Sequence, residues 1–267
     1  MSGDVAARAA QISWYHTIEL PGGVVTRGDY DLRPLARRVP LPESLAGMRC
    51  LDVGTSDGFW AFEMERRGAA EVVALDIDDP ARYDWPEPRP AKPTRPANQE
   101  PGVNRGFALA HEALGSRVER VDLAIYELSP ERIGSFDFVV MGALALHLRD
   151  PVLAYGAVRS VTRGQFLSVE VISLGLTLTR PGLPAADLAA RGLPRWWTPN
   201  VAGHRRMLAA AGFEVAAKGG PISMPFGAGF APPLGLRDLR GKTPAEAFFG
   251  FVTRRTGVPC AWARCRT

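Results

Sequence analysis

The sequence predicts a doubly wound α/β fold, and three observations predict it. From Met48 to Thr162, short β-branched or apolar runs alternate with amphipathic stretches, the pattern of a parallel sheet covered by helices. Leu51-Asp52-Val53-Gly54-Thr55-Ser56-Asp57-Gly58 carries an apolar run into a glycine-bearing turn, and Asp76 ends the next apolar run one helix later. At 267 residues, 46% hydrophobic and 22% charged, the chain suits one α/β unit with decorations better than two full domains.

The elements follow in order. Residues 1–47 read as an N-terminal lid or packing segment, and 48–267 as the main domain. Arg49 to Val53 is the first strand. Phe59 to Arg67 reads as a helix stopped by Gly68, and Glu71 to Leu75 as the second strand, closed by Asp76. Seven of the 23 prolines lie between Pro80 and Pro101, a density that excludes both helix interior and central strand, so residues 80–101 are an irregular surface excursion. A helix over Gly102 to Leu114 precedes strands at Arg117 to Leu123 and Phe136 to Met141. Asp150-Pro151 opens a helix by cap and first-turn proline, with Val152, Tyr155, Val158 and Thr162 on one face until Gly164. Gln165 to Ile172 is a fifth strand. Residues 173–199 fit no clean period and read as a small cap insertion. Thr198-Pro199 repeats the helix-start signal for a helix through Ala211, and Phe213 to Ala217 and Pro259 to Arg264 supply the sixth and seventh strands.

Bulk properties bound the function. No apolar run approaches the ~20 residues of a bilayer span, and the first residues lack the apolar core of a secretory signal, so a cytoplasmic address with no membrane partner is expected. Cys50, Cys260 and Cys265 lack the paired spacings of zinc sites and read as unpaired thiols, with no metal implied. The net charge of +4 is local: seven basic residues face two acidic ones from Arg237 to Thr267, against 25 and 26 elsewhere. That end either steers a phosphate-bearing partner or is a solvated arginine-rich edge.

The chemistry concentrates in the Leu51 to Gly58 turn. Glycine at positions 54 and 58 lets the backbone turn sharply and approach a ligand closely. The Gly-Lys-Ser/Thr ending of a triphosphate loop is missing. Asp76 stands where a carboxylate accepts hydrogen bonds from both hydroxyls of a ribose, which suits either a dinucleotide or S-adenosyl-L-methionine. Asp52 and Asp57 place negative charge where a pyrophosphate would be repelled and an ammonium and sulfonium welcomed, which favours the second ligand.

These residues carry a resemblance. LDVGTSDGFWAFEMERRGAAEVVALDID resembles the cofactor-binding half of the class I S-adenosylmethionine-dependent methyltransferases, which implies a Rossmann-like seven-stranded sheet with the last strand antiparallel. Residues 136–151, FDFVVMGALALHLRDP, are similar to a block of the subgroup that includes the enzyme completing 5-carboxymethoxyuridine in the tRNA anticodon, with one extra residue between the glycine and the histidine. Trp14-Tyr15-His16 with Leu20-Pro21-Gly22-Gly23, and Trp197-Thr198-Pro199 with Gly212-Phe213, look like its opening and C-terminal blocks. Where that tRNA enzyme uses a tyrosine to hold a carboxylated cofactor, this chain has Leu146, so the resemblance implies ordinary S-adenosylmethionine.

The implied cofactor site comprises Asp52, Gly54, Thr55, Ser56, Gly58, Asp76, Ile77, Ile125, Tyr126, Met141 and Gly142, the last four flanking the expected adenine and methyl positions. His147, just after the fourth strand, is either a general base or a residue that shapes its loop. Trp14, Tyr15 and His16 either close over the ligand or pack the N-terminus; Trp196 and Trp197 pose the same choice at the cap. Glu170 faces the substrate or pairs with an arginine. His204, beside Arg205 and Arg206, is expected at the surface. The expected reaction is methylation of an oxygen, or less readily a nitrogen, on a small molecule or glycan. Methylation of tRNA is the alternative, and a non-catalytic cofactor-binding protein a third.

Overall fold

A computed structural model describes residues 2–87, 104–189, 193–230, 253 and 255–267. Part of the expected proline-rich excursion, the start of the helix at Gly102, residues 190–192 of the cap, and Arg237, Arg240, Lys242 and Arg254 lie outside the described residues.

Seven strands form the central sheet: β1 (Arg49–Val53), β2 (Glu71–Asp76), β3 (Glu119–Asp122), β4 (Phe136–Gly142), β5 (Thr162–Val171), β6 (Glu214–Met224) and β7 (Val258–Arg266). Their spatial order is β3-β2-β1-β4-β5-β7-β6. The first five run parallel to one another, and β7 is antiparallel to both β5 and β6. The chain therefore reverses its direction of travel across the sheet between β1 and β4, which opens a crevice at the carboxyl ends of these two strands.

Side-chain alternation sorts the core into two layers. Cys50, Phe138 and Val140 face one layer, packed by the N-terminal segment and the helices α1 (Ser2–Ala10), α2 (Phe59–Arg66) and α3 (Arg105–Leu114). Leu51, Val53, Val139 and Met141 face the other, against α4 (Pro151–Val161) and α5 (Val201–Ala210). The three cysteines are buried free thiols in β1 and β7. Among the described residues, no helix is long and apolar enough to cross a membrane.

The N-terminal segment packs on the first layer as short pieces. Trp14–His16 pairs in parallel with Gly28–Tyr30, and Tyr30 bridges to Phe226 just after β6. The cap contains a short helix, Leu174–Thr179, and a two-stranded ribbon of Ala186–Leu188 with Trp197–Pro199.

Four expectations are corrected. Helix α5 starts at Asn200, not Thr198: the Asn200 side chain accepts from Gly203 N at 2.7 Å and donates to the carbonyls of Arg180 and Leu183, while Thr198 and Pro199 are taken by the ribbon. The helix from Pro151 ends at Val161, because Thr162 turns its hydroxyl to Val158 O and enters β5. Strand β6 runs on to Met224, seven residues past Ala217, because β7 offers it a partner along that whole length. His204 is buried, 1% exposed, since Val201, His204 and Leu208 share the face of α5 turned to the sheet. There Ser168 Oγ lies 2.8 Å from its Nε2, and burial pushes the imidazole down to about 3.

Candidate functional site

The crevice is a cavity of about 560 Å³ at the ends of β1, β2 and β4. Its floor is the turn after β1. Gly54 N and Thr55 N both donate to Leu75 O, at 2.8 and 3.0 Å, so the chain folds back over β2. Gly54 has φ +77°, and a Cβ there would stand 2.9 Å from the Leu144 side chain, so only glycine lets the loop after β4 pack on this turn. Gly58, at φ +93°, starts α2 beneath Phe62 and Phe107. Ser56 adopts φ +48°, a strained value for a residue with a side chain, and its N–H points at Asp76.

Three carboxylates hold this turn. Asp76 accepts Ser56 N on Oδ2 at 2.7 Å and Ile77 N on Oδ1 at 2.8 Å. Burial raises its pKa, and these two N–H groups oppose the rise. Asp52 accepts the Thr55 hydroxyl at 2.7 Å and Ala61 N at 3.1 Å; burial pushes it up to about 7. Asp57 accepts Tyr15 N at 2.5 Å and His16 N at 3.0 Å, which sets the N-terminal strand against the cavity.

The far wall is the loop after β4. Glu170 accepts Ala145 N and Val171 N, each at 2.8 Å, and is pushed up to about 7 by burial. Ala143 N donates to Val169 O, and Ala145–His147 forms one 3-10 turn. His147 Nδ1 meets the carbonyl oxygen of Pro194. A carbonyl only accepts, so Nδ1 carries the proton and Nε2 the lone pair. Burial, with a smaller push from Arg195, lowers the pKa of His147 below its ordinary value.

The structure brings together Tyr15, His16, Gly54, Ser56, Asp76, Ile77, Ile125, Tyr126, Gly142 and His147 along one cavity wall. Seven expected site residues stand behind that wall. Met141 turns into the second core layer, because its neighbour Gly142 occupies the register position that reaches the crevice. Trp14 is 2% exposed and donates from Nε1 to Ala9 O, packing α1. Trp197 donates to Arg149 O in the cap ribbon. Glu170 is buried against backbone N–H groups and pairs with no arginine among the described residues. Asp52, Thr55 and Gly58 brace the turn from beneath.

Several wall residues carried no legible signal. Trp60, on α2, lies against Gly142, where a Cβ would stand 2.7 Å from Trp60 Nε1. Asp84, inside the proline-rich stretch, accepts the Tyr126 hydroxyl and Arg149 N, both at 2.8 Å, and its carbonyl receives Trp196 Nε1 at 2.5 Å. Arg195 and Tyr30 also line the cavity. Only the crowding of aromatic and acidic residues between Arg82 and Trp85 hinted that this stretch was more than a linker.

The chain has the class I methyltransferase fold. It superposes on the N-terminal domain of EvdMO1, solved with S-adenosylhomocysteine and D-fucose present, at 15% identity and a TM-score of 0.55, covering 100% of this chain and 97% of that one. An S-adenosylmethionine-dependent methyltransferase from Mesorhizobium loti matches at 14% identity, TM-score 0.51, covering 88% and 97%. The Burkholderia thailandensis 1,6-didemethyltoxoflavin-N1-methyltransferase, with its substrate and S-adenosylhomocysteine bound, matches at 12%, TM-score 0.52, covering 88% and 77%. No protein-family model and no curated protein matches the sequence.

One consequence of this floor is measurable without a ligand. Asp52 ionises near 3.8 when unfolded and near 7 when folded, so at intermediate pH the folded state holds a proton the unfolded state has released. Its contribution to stability is present below about pH 4 and is lost as pH rises through 7. Asp52→Asn keeps an oxygen for Thr55 and Ala61 and removes the charge. Between pH 5 and 8 the unfolding free energy is expected to fall less in the variant than in the wild type, by up to about 3 kcal/mol. Parallel profiles for the two proteins would show that folding leaves the pKa of Asp52 unchanged.

Proposed function

We propose that the protein is an S-adenosylmethionine-dependent methyltransferase that methylates an oxygen of a small molecule or glycan. The observation that carries this is Asp76. Each of its oxygens already accepts one backbone N–H, and a carboxylate oxygen has room for a second bond, so two ribose hydroxyls can be received side by side. Ile77, Ile125 and Tyr126 offer apolar surface for an adenine next to it. Asp57 and the open backbone at Gly54 suit the amino acid end, where positive charge is held and no pyrophosphate is needed. These features of the chain fit the cofactor. When bound, it would supply an electrophilic methyl group, its sulfur leaving as a neutral thioether once the acceptor oxygen has taken the methyl.

The chain's own residues supply position and proton transfer. Tyr15 and His16, anchored by Asp57, and the cap at Pro194 wall off the acceptor from water. The lone pair on His147 Nε2 takes the proton that a hydroxyl acceptor loses as it attacks. The neighbour solved in the presence of D-fucose lends support to a sugar hydroxyl as one acceptor class.

The wobble-uridine subgroup of tRNA methyltransferases is the second reading, favoured by the similarity of residues 136–151 and 197–213. Leu146 lines the cavity without a hydrogen-bond donor on its side chain, which supports the unmodified cofactor in either reading.

Three outcomes test the proposal. Mass spectrometry of metabolites and tRNA nucleosides from cells with and without the gene is expected to show a small molecule or glycan differing by one methyl group; a methylated nucleoside instead selects the second reading. Asp76→Ala is expected to weaken S-adenosylhomocysteine binding by about ten- to a hundredfold in calorimetry, the loss of two hydrogen bonds to a charged acceptor. His147→Ala is expected to slow turnover by about a hundredfold. In the wild type, kcat/KM is expected to stay level at and above neutral pH and to fall only at a pH below that of an ordinary imidazole, because burial keeps His147 neutral until then. A loss under tenfold would leave His147 as a loop-shaping residue.

A further inference from the structure

One charged group on the cavity wall has no role in the reading above. Arg195 lies beside His147 in the loop that closes the acceptor end. Its Nε is buried without a hydrogen-bond partner, and no ion pair joins its guanidinium to a carboxylate among the described residues. The backbone on either side is tied down: the Pro194 carbonyl receives His147 Nδ1, and Trp196 N donates to Leu146 O at 2.7 Å. The loop after β4 therefore decides where this guanidinium stands.

The other charges on the wall are spoken for. Asp57 and Asp76 each hold two backbone N–H groups, and Asp84 holds Tyr126 and Arg149. Arg82 pairs with Asp122 at 2.8 Å and with Glu127 at 3.4 Å. Arg105 is exposed, where solvent screens it. A partly buried guanidinium without a counter-charge is costly, and an anionic oxygen brought to it forms short, charge-assisted and bidentate bonds. The three aspartates around the wall disfavour a dianion such as phosphate and leave a single negative charge as the better match. Tyr30, Val171, Met224 and Val258 give the same cavity an apolar side.

We propose that Arg195 recognises a carboxylate on the methyl acceptor, so that the acceptor class is hydroxy acids with an apolar body. This rests on the methyltransferase reading, and the experiment separates the two. Protein loaded with S-adenosylhomocysteine is titrated by calorimetry with 4-hydroxybenzoate, 4-hydroxybenzamide and phenyl phosphate. The benzoate is expected to bind at least about tenfold more tightly than either of the others. Arg195→Gln should erase that preference while thermal stability and S-adenosylhomocysteine affinity stay within twofold, and Arg195→Lys should restore part of it. Equal affinities, a preference for phenyl phosphate, a preference that survives Arg195→Gln, or no binding of any of the three would overturn the proposal. A tenfold loss of S-adenosylhomocysteine affinity in Arg195→Gln would also overturn it, by assigning the guanidinium to the cofactor's own carboxylate. Failure of S-adenosylhomocysteine to bind the wild type overturns the methyltransferase reading instead.

Discussion

The turn from Gly54 to Gly58 is held from three sides by carboxylates, and the site is built outward from it. Asp52 grips it from below through Thr55 and Ala61, Asp76 from the side through Ser56, and Asp57 reaches away from it to the N-terminal strand. Backbone N–H groups converge on negative charge in a region closed to water, where each such bond is worth more than at the surface. Ser56 is kept at a positive φ by its bond to Asp76, so a ligand finds the turn already formed. Were the turn to relax, the cavity would lose its floor, the placement of Asp76 and its N-terminal wall together.

The same logic repeats on the opposite wall. Glu170 gathers N–H groups of the loop after β4, and that loop in turn holds Pro194 through His147 and Trp196 through Leu146. A buried glutamate on β5 thus sets the position of cap residues far along the chain. Asp84 completes the circuit by joining Tyr126, Arg149 and Trp196. Cap, the loop after β3 and the proline-rich stretch meet at one residue. Such buried polar hubs contribute more to a unique arrangement than to net stability, since desolvation offsets much of what their bonds supply.

These hubs also tune charge. The acids that brace the site, Asp52 and Glu170, are pushed up to about 7 by burial, whereas His147 is pushed down. Near neutral pH the imidazole is therefore uncharged and the bracing acids are close to half ionised. Arg195 lines the same cavity, with its Nε buried and without a hydrogen-bond partner.

How much of this was legible in the sequence depended on the range of the interactions. The strands of the sheet, the turn after β1 and the acid closing β2 follow from local patterns: apolar runs, helix stops and glycines whose backbone needs are set by near neighbours. Errors arose where a distant partner overrode a local signal. Thr198-Pro199 reads as a helix start, but Ala186–Leu188 recruits it into a ribbon and Asn200 takes the cap. His204 reads as surface beside two arginines, but the 3.6-residue period turns it toward β5. Trp14, Met141 and Glu170 have the right chemistry for a ligand site, yet stand one layer behind it because strand alternation or a backbone partner faces them inward, and Trp197 is held in the cap ribbon. The sequence by itself determined the fold class and the glycine-bearing turn with Asp76 beside it, since both are written in short-range patterns. Only the tertiary structure decided which side chains meet over that turn, Arg195 among them, because side-chain facing depends on partners tens of residues away.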